Sequence, residues 1–145
     1  MPDKMITPNL PECFRSSDSE SIQAAISLAV ENGSRTVTIP RYNARCDRDE
    51  WRISVSIKVP DDFTLILDNC FMVMETGVYD NMITNSRSWD KETITKAEGE
   101  QKNITVIGKG NVILDGGKHN LCWKRPTANT VCLRYGAIHF CTGST

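Results

Sequence analysis

The stretch "NITVIGKGNVILDGG", from Asn103 to Gly117, contains two short runs rich in β-branched residues, separated by Gly-Lys-Gly and closed by Asp-Gly-Gly. β-Branched residues favour strands, whereas glycine and Asp-Gly sequences favour tight turns. The stretch therefore predicts two short strands that are joined by a sharp corner.

The same arrangement occurs earlier in the chain. "LILDNCFMVM" (65–74) and "TVIGKGNVIL" (105–114) both contain three strand residues, three turn residues and four strand residues, at an offset of 40. A strand–turn–strand unit at fixed spacing indicates a solenoid, and short strands with tight corners favour a β-helix. With about 20 residues per coil, the offset predicts two coils, with "NMITNS" (81–86) in the coil between. Asn69 and the glycines are predicted at corners, which need a positive φ or a side-chain hydrogen bond.

One amphipathic helix precedes the strands. Its apolar stripe has the i, i+3, i+4 spacing and consists of Ile22, Ala25, Ile26, Ala29 and Val30. Ser17 with Glu20 fits a capping box at the start, and Asn32-Gly33 fits a left-handed stop. Because the open apolar end of a β-helix must be covered to avoid aggregation, this helix is predicted to close the first coil.

The remaining segments read as strands and one polar excursion. "TVTIP" (36–40) predicts a strand, and "ISVSIKVP" (53–60) predicts another with Ile53, Val55, Ile57 and Val59 on one face. The polar stretch 86–102 has no period and predicts a long surface excursion. We therefore expect an all-β, right-handed parallel β-helix of about three coils with a capping helix: lead-in and helix at 1–35, coils at 36–122 and an atypical tail at 123–145.

The composition is that of an ordinary globular protein. The 145 residues are 39% hydrophobic and 24% charged, and 17 Lys and Arg against 18 Asp and Glu leave a formal net charge of −1. This balance predicts neither a nucleic-acid partner nor a polybasic membrane anchor. The first residues, "MPDKMITPNLPECF", contain no apolar run of the length found in signal peptides or membrane spans, so a cytoplasmic location is the default expectation.

Six cysteines are present, with no C-x-x-C pair. Without a signal peptide, reduced thiols are favoured over three disulfides. The set Cys122, Cys132, His139 and Cys141 fits no common zinc spacing, so we expect neither a metal nor another cofactor.

Three segments resemble the N-terminal part of right-handed parallel β-helix proteins of the pectin-lyase-like superfamily. They are "SESIQAAISLAVENGSRTVTIP" (19–40), "SIKVPDDFTLILDNCFM" (56–72) and "NITVIGKGNVILDGGKHN" (103–120). Within the superfamily they are most similar to polygalacturonase-family (family 28) glycosyl hydrolases. The resemblance implies the fold more specifically than an activity, because this fold hosts lyases, hydrolases, esterases, epimerases and phage tail proteins.

The resemblance implies no catalytic residue in this chain. Polygalacturonase-like enzymes invert the anomeric centre with aspartates, carried by Asn-Thr-Asp, Asp-Asp, Gly-His-Gly and Arg-Ile-Lys motifs. Asn-Thr-Asp and Gly-His-Gly are absent, and the nearest match to Arg-Ile-Lys is "RIS" (52–54). Asp61-Asp62 stands directly after a proline, where a solvated turn is favoured over a general acid and base.

Three residues are candidates for saccharide binding. Asp115 follows the last strand, and His119 and Trp123 come shortly after it. Aromatic faces pack on sugar rings, although core packing is the commoner role of an isolated Trp. For Asp115, a corner role in which the side chain caps its own backbone is favoured over sugar contact.

From Trp123 onward the resemblance and the repeat both end, and we interpret this tail as a truncated or frame-shifted continuation. The function implied is the N-terminal part of a polygalacturonase-type glycoside hydrolase that acts on polysaccharide, with its catalytic coils missing and this chain inactive alone. The alternatives are a non-catalytic structural or glycan-binding β-helix, as in phage tails or adhesins, and a pectate-lyase-like polysaccharide lyase. Because solenoids need a cap at each end, we also expect self-association through the open C-terminal coil.

Overall fold

The computed structural model of the chain describes residues 5–78, 81–85, 103–117 and 138–139. Within these ranges the protein is mostly β, with one α-helix and a short 3₁₀ helix at Pro11–Cys13. The α-helix and strands are α1 (Asp18–Glu31), β1 (Thr36–Ile39), β2 (Trp51–Ile53), β3 (Ile57–Val59), β4 (Phe63–Asp68), β5 (Phe71–Met74), β6 (Ile83–Asn85), β7 (Ile104–Lys109), β8 (Ile113–Asp115) and β9 (Ile138–His139). For the described residues, the predictions of a mostly β chain and of one N-terminal α-helix are confirmed.

The strands are arranged in three parallel sheets with the same internal order. The sheets are β1-β4-β7, β2-β5-β8 and β3-β6-β9, and every pairing is parallel. Each successive group of three strands therefore adds one strand to every sheet. We call these groups the first round (β1–β3), the second round (β4–β6) and the third round (β7–β9).

The predicted spacing of the repeat is wrong, although the two repeated segments do correspond. Leu65 of β4 lies opposite Val106 of β7, and Phe71 of β5 lies opposite Ile113 of β8. The two segments are thus direct neighbours at offsets of 41 and 42, and no strand lies between them. "NMITNS" contributes β6 to the same round as β4 and β5, and the stretch 86–102 separates β6 from β7 in the sequence.

The helix begins and ends as the sequence predicts. Ser17 Oγ accepts a hydrogen bond from the Glu20 N–H at 3.2 Å. At the other end Gly33 has a φ of +74°, and the Ser34 N–H donates to the Ala29 carbonyl at 2.8 Å, which is a Schellman motif. Of the predicted apolar stripe, four residues are buried and Val30 is 39% exposed.

The strand predicted at 53–60 is in fact two strands in different sheets. β2 ends at Ile53 and β3 begins at Ile57, and Val55 between them is 57% exposed. The Ser54 and Val55 N–H groups both donate to Ser19 Oγ of α1, at 2.8 and 3.3 Å, so a helix side chain holds this corner. The prediction failed because the alternation continues in the sequence across a bend of the backbone.

The helix and the lead-in cover the free edge of the first round. α1 contacts β1, β2 and β3. Its Gln23 side chain forms two hydrogen bonds with the Lys58 backbone, at 2.9 Å to the carbonyl and 3.0 Å from the N–H. Beside it, the Thr38 N–H of β1 donates to the Ile6 carbonyl at 3.0 Å. Edge groups that could otherwise template another strand are therefore satisfied within the chain.

Corners of successive rounds lie on one another and are joined by side chains. Asn69, between β4 and β5, has a φ of +51°, and its Oδ1 accepts from the Asn111 N–H at 3.1 Å. Gly110, with a φ of +68°, lies against the same amide. Asn69 and Gly110 were predicted at corners and this is confirmed, whereas Gly108 lies inside β7.

The inward side chains of the first two rounds and the buried side of α1 form the core. The largest fully buried ones are Trp51, Phe63, Ile22, Ile39, Ile53, Ile57, Leu65, Leu67, Met72, Met82, Ile83 and Val37. In the third round the inward residues Ile104, Val106 and Leu114 are only half-buried. Burial therefore decreases from the helix-covered edge towards β7 and β8. The polar stretch 86–102 and the tail lie outside the described residues, apart from β9.

Candidate functional site

The outward face of the sheet β2-β5-β8 carries the one predicted site residue that the structure describes. Because side chains alternate along a strand, Trp51, Met72 and Leu114 point inward while their neighbours point outward. The outward row Arg52–Val73–Asp115 is in register across the three strands. We call this row, together with the adjacent pair Phe71–Ile113, the outer face of the second sheet.

This outer face combines apolar and charged groups. Ile113 is 47% exposed and Phe71 is half-buried beside it, so together they offer an apolar strip. Arg52 lies at one end of the charged row, where its Nε and Nη2 donate to Glu50 Oε1 at 3.2 and 3.0 Å. Such a surface can pack against the ring of a sugar while donating hydrogen bonds to its oxygens.

Asp115 also has the corner role that the sequence favoured. Its Oδ1 accepts from the Gly117 N–H at 2.9 Å, and Gly117 has a φ of +91°. The carboxylate therefore caps its own turn. Because a carboxylate has about four acceptor sites on its two oxygens, this capping bond still leaves acceptor capacity for a sugar contact.

Most of the other candidate residues for saccharide or metal binding cannot be placed in the structure. His119, Trp123, Cys122, Cys132 and Cys141 lie outside the described residues, and His139 is described only as part of β9. In the described part of the chain, no three His, Cys, Asp or Glu residues are grouped so as to hold a metal ion.

Asp61-Asp62 forms a turn, as the sequence predicts. Asp62 has a φ of +54° and its Oδ1 accepts from Asn103 Nδ2 at 2.6 Å, which joins the corner before β4 to the corner before β7. Nothing in this geometry brings the two carboxylates together as an acid and a base.

Sequence reasoning missed a buried carboxylate at the start of α1. Asp18 is 2% exposed, and its Oδ1 accepts from Asn43 Nδ2 at 2.9 Å and from Arg45 Nη2 at 2.6 Å. Its Oδ2 accepts from the Arg52 N–H of β2 at 2.7 Å, and Arg48 Nη2 lies 3.7 Å from the same oxygen. One side chain thus joins the helix, the loop 40–50 and the free edge of β2.

Asp18 stays charged at neutral pH. Burial alone would raise the pKa of Asp18, but the hydrogen bonds from the Arg52 N–H, Asn43 and Arg45 outweigh burial and hold this pKa below its usual value. In the sequence, an acid in the first helical turn is explained by the helix dipole alone, so only the Arg-rich stretch "RYNARCDRDEWR" (41–52) hinted at a partner.

Cys46 and Cys70 are free thiols. Cys13 and Cys70 are buried, and Cys46 is half-buried with its Sγ 3.7 Å from Asp18 Oδ1. Burial, together with the nearby charge of Asp68, raises the pKa of Cys70 to about 12, so this thiol is unreactive at neutral pH.

No protein-family model, no curated protein and no solved structure matches the chain. None of the helices in the part of the chain that the structure describes has the length and apolarity to cross a bilayer.

Proposed function

We propose that the three parallel sheets are the faces of a right-handed parallel β-helix whose first coil is closed by α1. The protein is then the capped N-terminal part of a carbohydrate-active β-helix protein of the polygalacturonase type. The observation that supports this best is the strand order, since every round contributes one strand to each of three sheets in the same sequence. In a solenoid, successive coils stack in this way.

The outer face of the second sheet is the saccharide-binding surface in this proposal. Phe71 and Ile113 form the apolar contact with a sugar ring. Arg52 supplies a cation that can pair with the carboxylate of an acidic sugar, because a guanidinium binds carboxylates through parallel N–H groups. Asp115 accepts hydrogen bonds from sugar hydroxyls. The chain contributes binding and not cleavage, since the family's catalytic motifs do not occur in it.

Binding to polygalacturonate, with neutral dextran as the comparison polymer, tests this function by affinity electrophoresis. We expect retardation in polygalacturonate that weakens at high salt, because screening weakens the attraction between Arg52 and carboxylates. We expect no release of reducing ends. Phe71→Ala should weaken binding about tenfold, which corresponds to about 1.4 kcal/mol.

Ile107→Ala is the matched control, because Ile107 is an exposed outward residue of β7 in a different sheet. This variant should bind as the wild type does. Equal retardation in both polymers, or a Phe71→Ala variant that binds normally, would contradict the proposed surface.

The second candidate is a structural β-helix without glycan chemistry, as in phage tails or adhesins. The corner role of Asp115 favours it, since one carboxylate oxygen is already used by the Gly117 N–H. This candidate predicts no retardation in any polysaccharide gel while the fold remains intact.

A further inference from the structure

A groove of about 590 Å³ runs along the outer side of α1, between the helix and the 3₁₀ helix at Pro11–Cys13. Its apolar lining comes from Ala24 and Leu28, which are half-buried. Charged residues at its borders are Glu12, Arg15, Glu20 and Glu31, all exposed. The groove is therefore apolar inside and mainly acidic at its border.

The acidic character is strongest at the C-terminal end of α1. A helix C-terminus carries partial negative charge and is stabilised by cations. Here the last turn contains Glu31 and no basic residue, so the side-chain charge adds to the helix dipole. At the other end, Arg15 Nη1 is bonded to the backbone carbonyls of Glu12 and Phe14. A ligand with positive charges spaced along an apolar segment would complement this groove.

The chain itself contains such a segment. No Asp or Glu occurs from Gly116 to Thr145, so all 18 acidic residues precede this region. The stretch 118–137 contains four cations interspersed with apolar residues, and the cations are Lys118, Lys124, Arg125 and Arg134. Basic and acidic charges are thus separated along the sequence, which favours association between complementary regions.

The two ends of this stretch are attached to the third round. β8 ends at Asp115 and β9 begins at Ile138, whereas α1 lies against the first round. The second round lies between α1 and the attachment points of this stretch in each of the three sheets. We propose that the basic stretch 118–137 of one copy docks in the α1 groove of a second copy. This gives the expected self-association a specific partner surface and makes the contact head-to-tail, which can continue to further copies.

Sedimentation velocity of the full chain at increasing concentration tests this proposal. We expect association in low salt that is lost in about 1 M salt, where the Debye length falls to about 3 Å. The double variant Glu20→Lys/Glu31→Lys should weaken association at least tenfold, and so should Lys124→Glu/Arg125→Glu. Mixing the two variants should restore a complex, because their charges are again complementary.

Asp49→Lys is the control, because Asp49 is an exposed acid outside the groove. It should associate as the wild type does. A chain that stays monomeric at every concentration overturns the proposal. Association that is unchanged by both charge reversals but weakened by Ile113→Lys also overturns the proposal, and it indicates pairing at the β8 edge.

Charge reversals that change the unfolding free energy but not the association would indicate that the stretch docks within its own copy. This outcome would also contradict the proposal. Polygalacturonate binding is independent of all these outcomes.

Discussion

The two edges of the strand stack differ in how their last strands are covered. At the first round, Val37 and Ile39 are fully buried, and the edge N–H groups of Thr38, Arg52, Ser54 and Lys58 are bonded to the lead-in or to α1 side chains. At the third round, β7 and β8 are the last strands of their sheets within the described residues, and their inward side chains are only half-buried.

Similar strand sequences therefore have different burial because their neighbours differ. The β1 sequence "TVTI" and the β7 sequence "ITVIGK" both alternate, yet among the described elements α1 packs against β1 and not against β7. In stacked repeats each unit is stabilised by the units beside it, so an end that lacks a cap is the weaker end. The following substitutions test whether the side chains of α1 cause the greater burial and stability of the first round.

The largest effect is expected for Asp18→Ala. This change removes the acceptor of the Arg52 N–H, Asn43 Nδ2 and Arg45 Nη2 at once. Removing one partner of a buried ion pair costs about 3–5 kcal/mol, and since Arg45 is partly exposed we expect about 3 kcal/mol here. Urea unfolding followed by circular dichroism measures it. Asp49→Ala, at an exposed acid on the loop 40–50, should change the unfolding free energy by less than about 0.5 kcal/mol.

The contribution of Asp18 should also depend on pH in one direction. Because the pKa of Asp18 is lowered in the folded state, its stabilisation is complete above the unfolded pKa of about 3.9 and is lost as the pH falls through the folded value. The difference in unfolding free energy between wild type and Asp18→Ala should be constant from about pH 6 to 8 and shrink below about pH 4. A difference that grows on acidification would contradict the assigned hydrogen bonds.

Gly110→Ala tests the corner on which the third round is held. A Cβ at this position would overlap Asn69 Oδ1, and the φ of +68° disfavours any L side chain. We expect a loss of about 2 kcal/mol in unfolding free energy. Gly116→Ala is the matched control, because nothing lies within 4 Å of its added Cβ. Equal melting temperatures for the two variants would show that the corner does not support the stack.

The smallest effect is expected for Gln23→Ala, which removes the two hydrogen bonds to the Lys58 backbone at the β3 edge. Both bonds are exposed, so the loss should be about 1 kcal/mol. Ser27→Ala, one helical turn further on the same exposed side, lacks such bonds to β3 and should be neutral or slightly stabilising, since Ala favours helices. A Gln23→Ala variant as stable as Ser27→Ala would mean that the edge bonds contribute nothing.

The limits of the helix and the positions of corners could be predicted from the sequence, whereas the pairing of strands and its register could not. The limits of α1 follow from Ser17 and Gly33, and the corner at Asn69 follows from the residue types around it. The bend at 54–56 was missed because a period of two persists across it. The offset of 40 residues between the two repeated segments was interpreted as two coils, whereas they lie in adjacent strands. The number of residues between paired strands includes the 86–102 stretch, and no local pattern indicates that this stretch belongs to the connection.

The Asp18 site could not be predicted because its partners are far away in the sequence. Asn43, Arg45 and Arg52 lie 25 to 34 residues from Asp18. Each is unremarkable where it stands, and only the docking of α1 on the first round brings them to one carboxylate. The outer face of the second sheet depends in the same way on the register that places Arg52, Val73 and Asp115 in one row.

Amide hydrogen exchange at the first-round edge tests the central claim most directly. In the wild type, the N–H groups of Thr38, Arg52, Ser54 and Lys58 should exchange as slowly as amides between paired strands. In Asp18→Ala, exchange at Arg52 should accelerate most, while Thr38, bonded to Ile6, should change least. Exchange of these four amides at unfolded-chain rates in the wild type would contradict an edge closed by the helix and the lead-in.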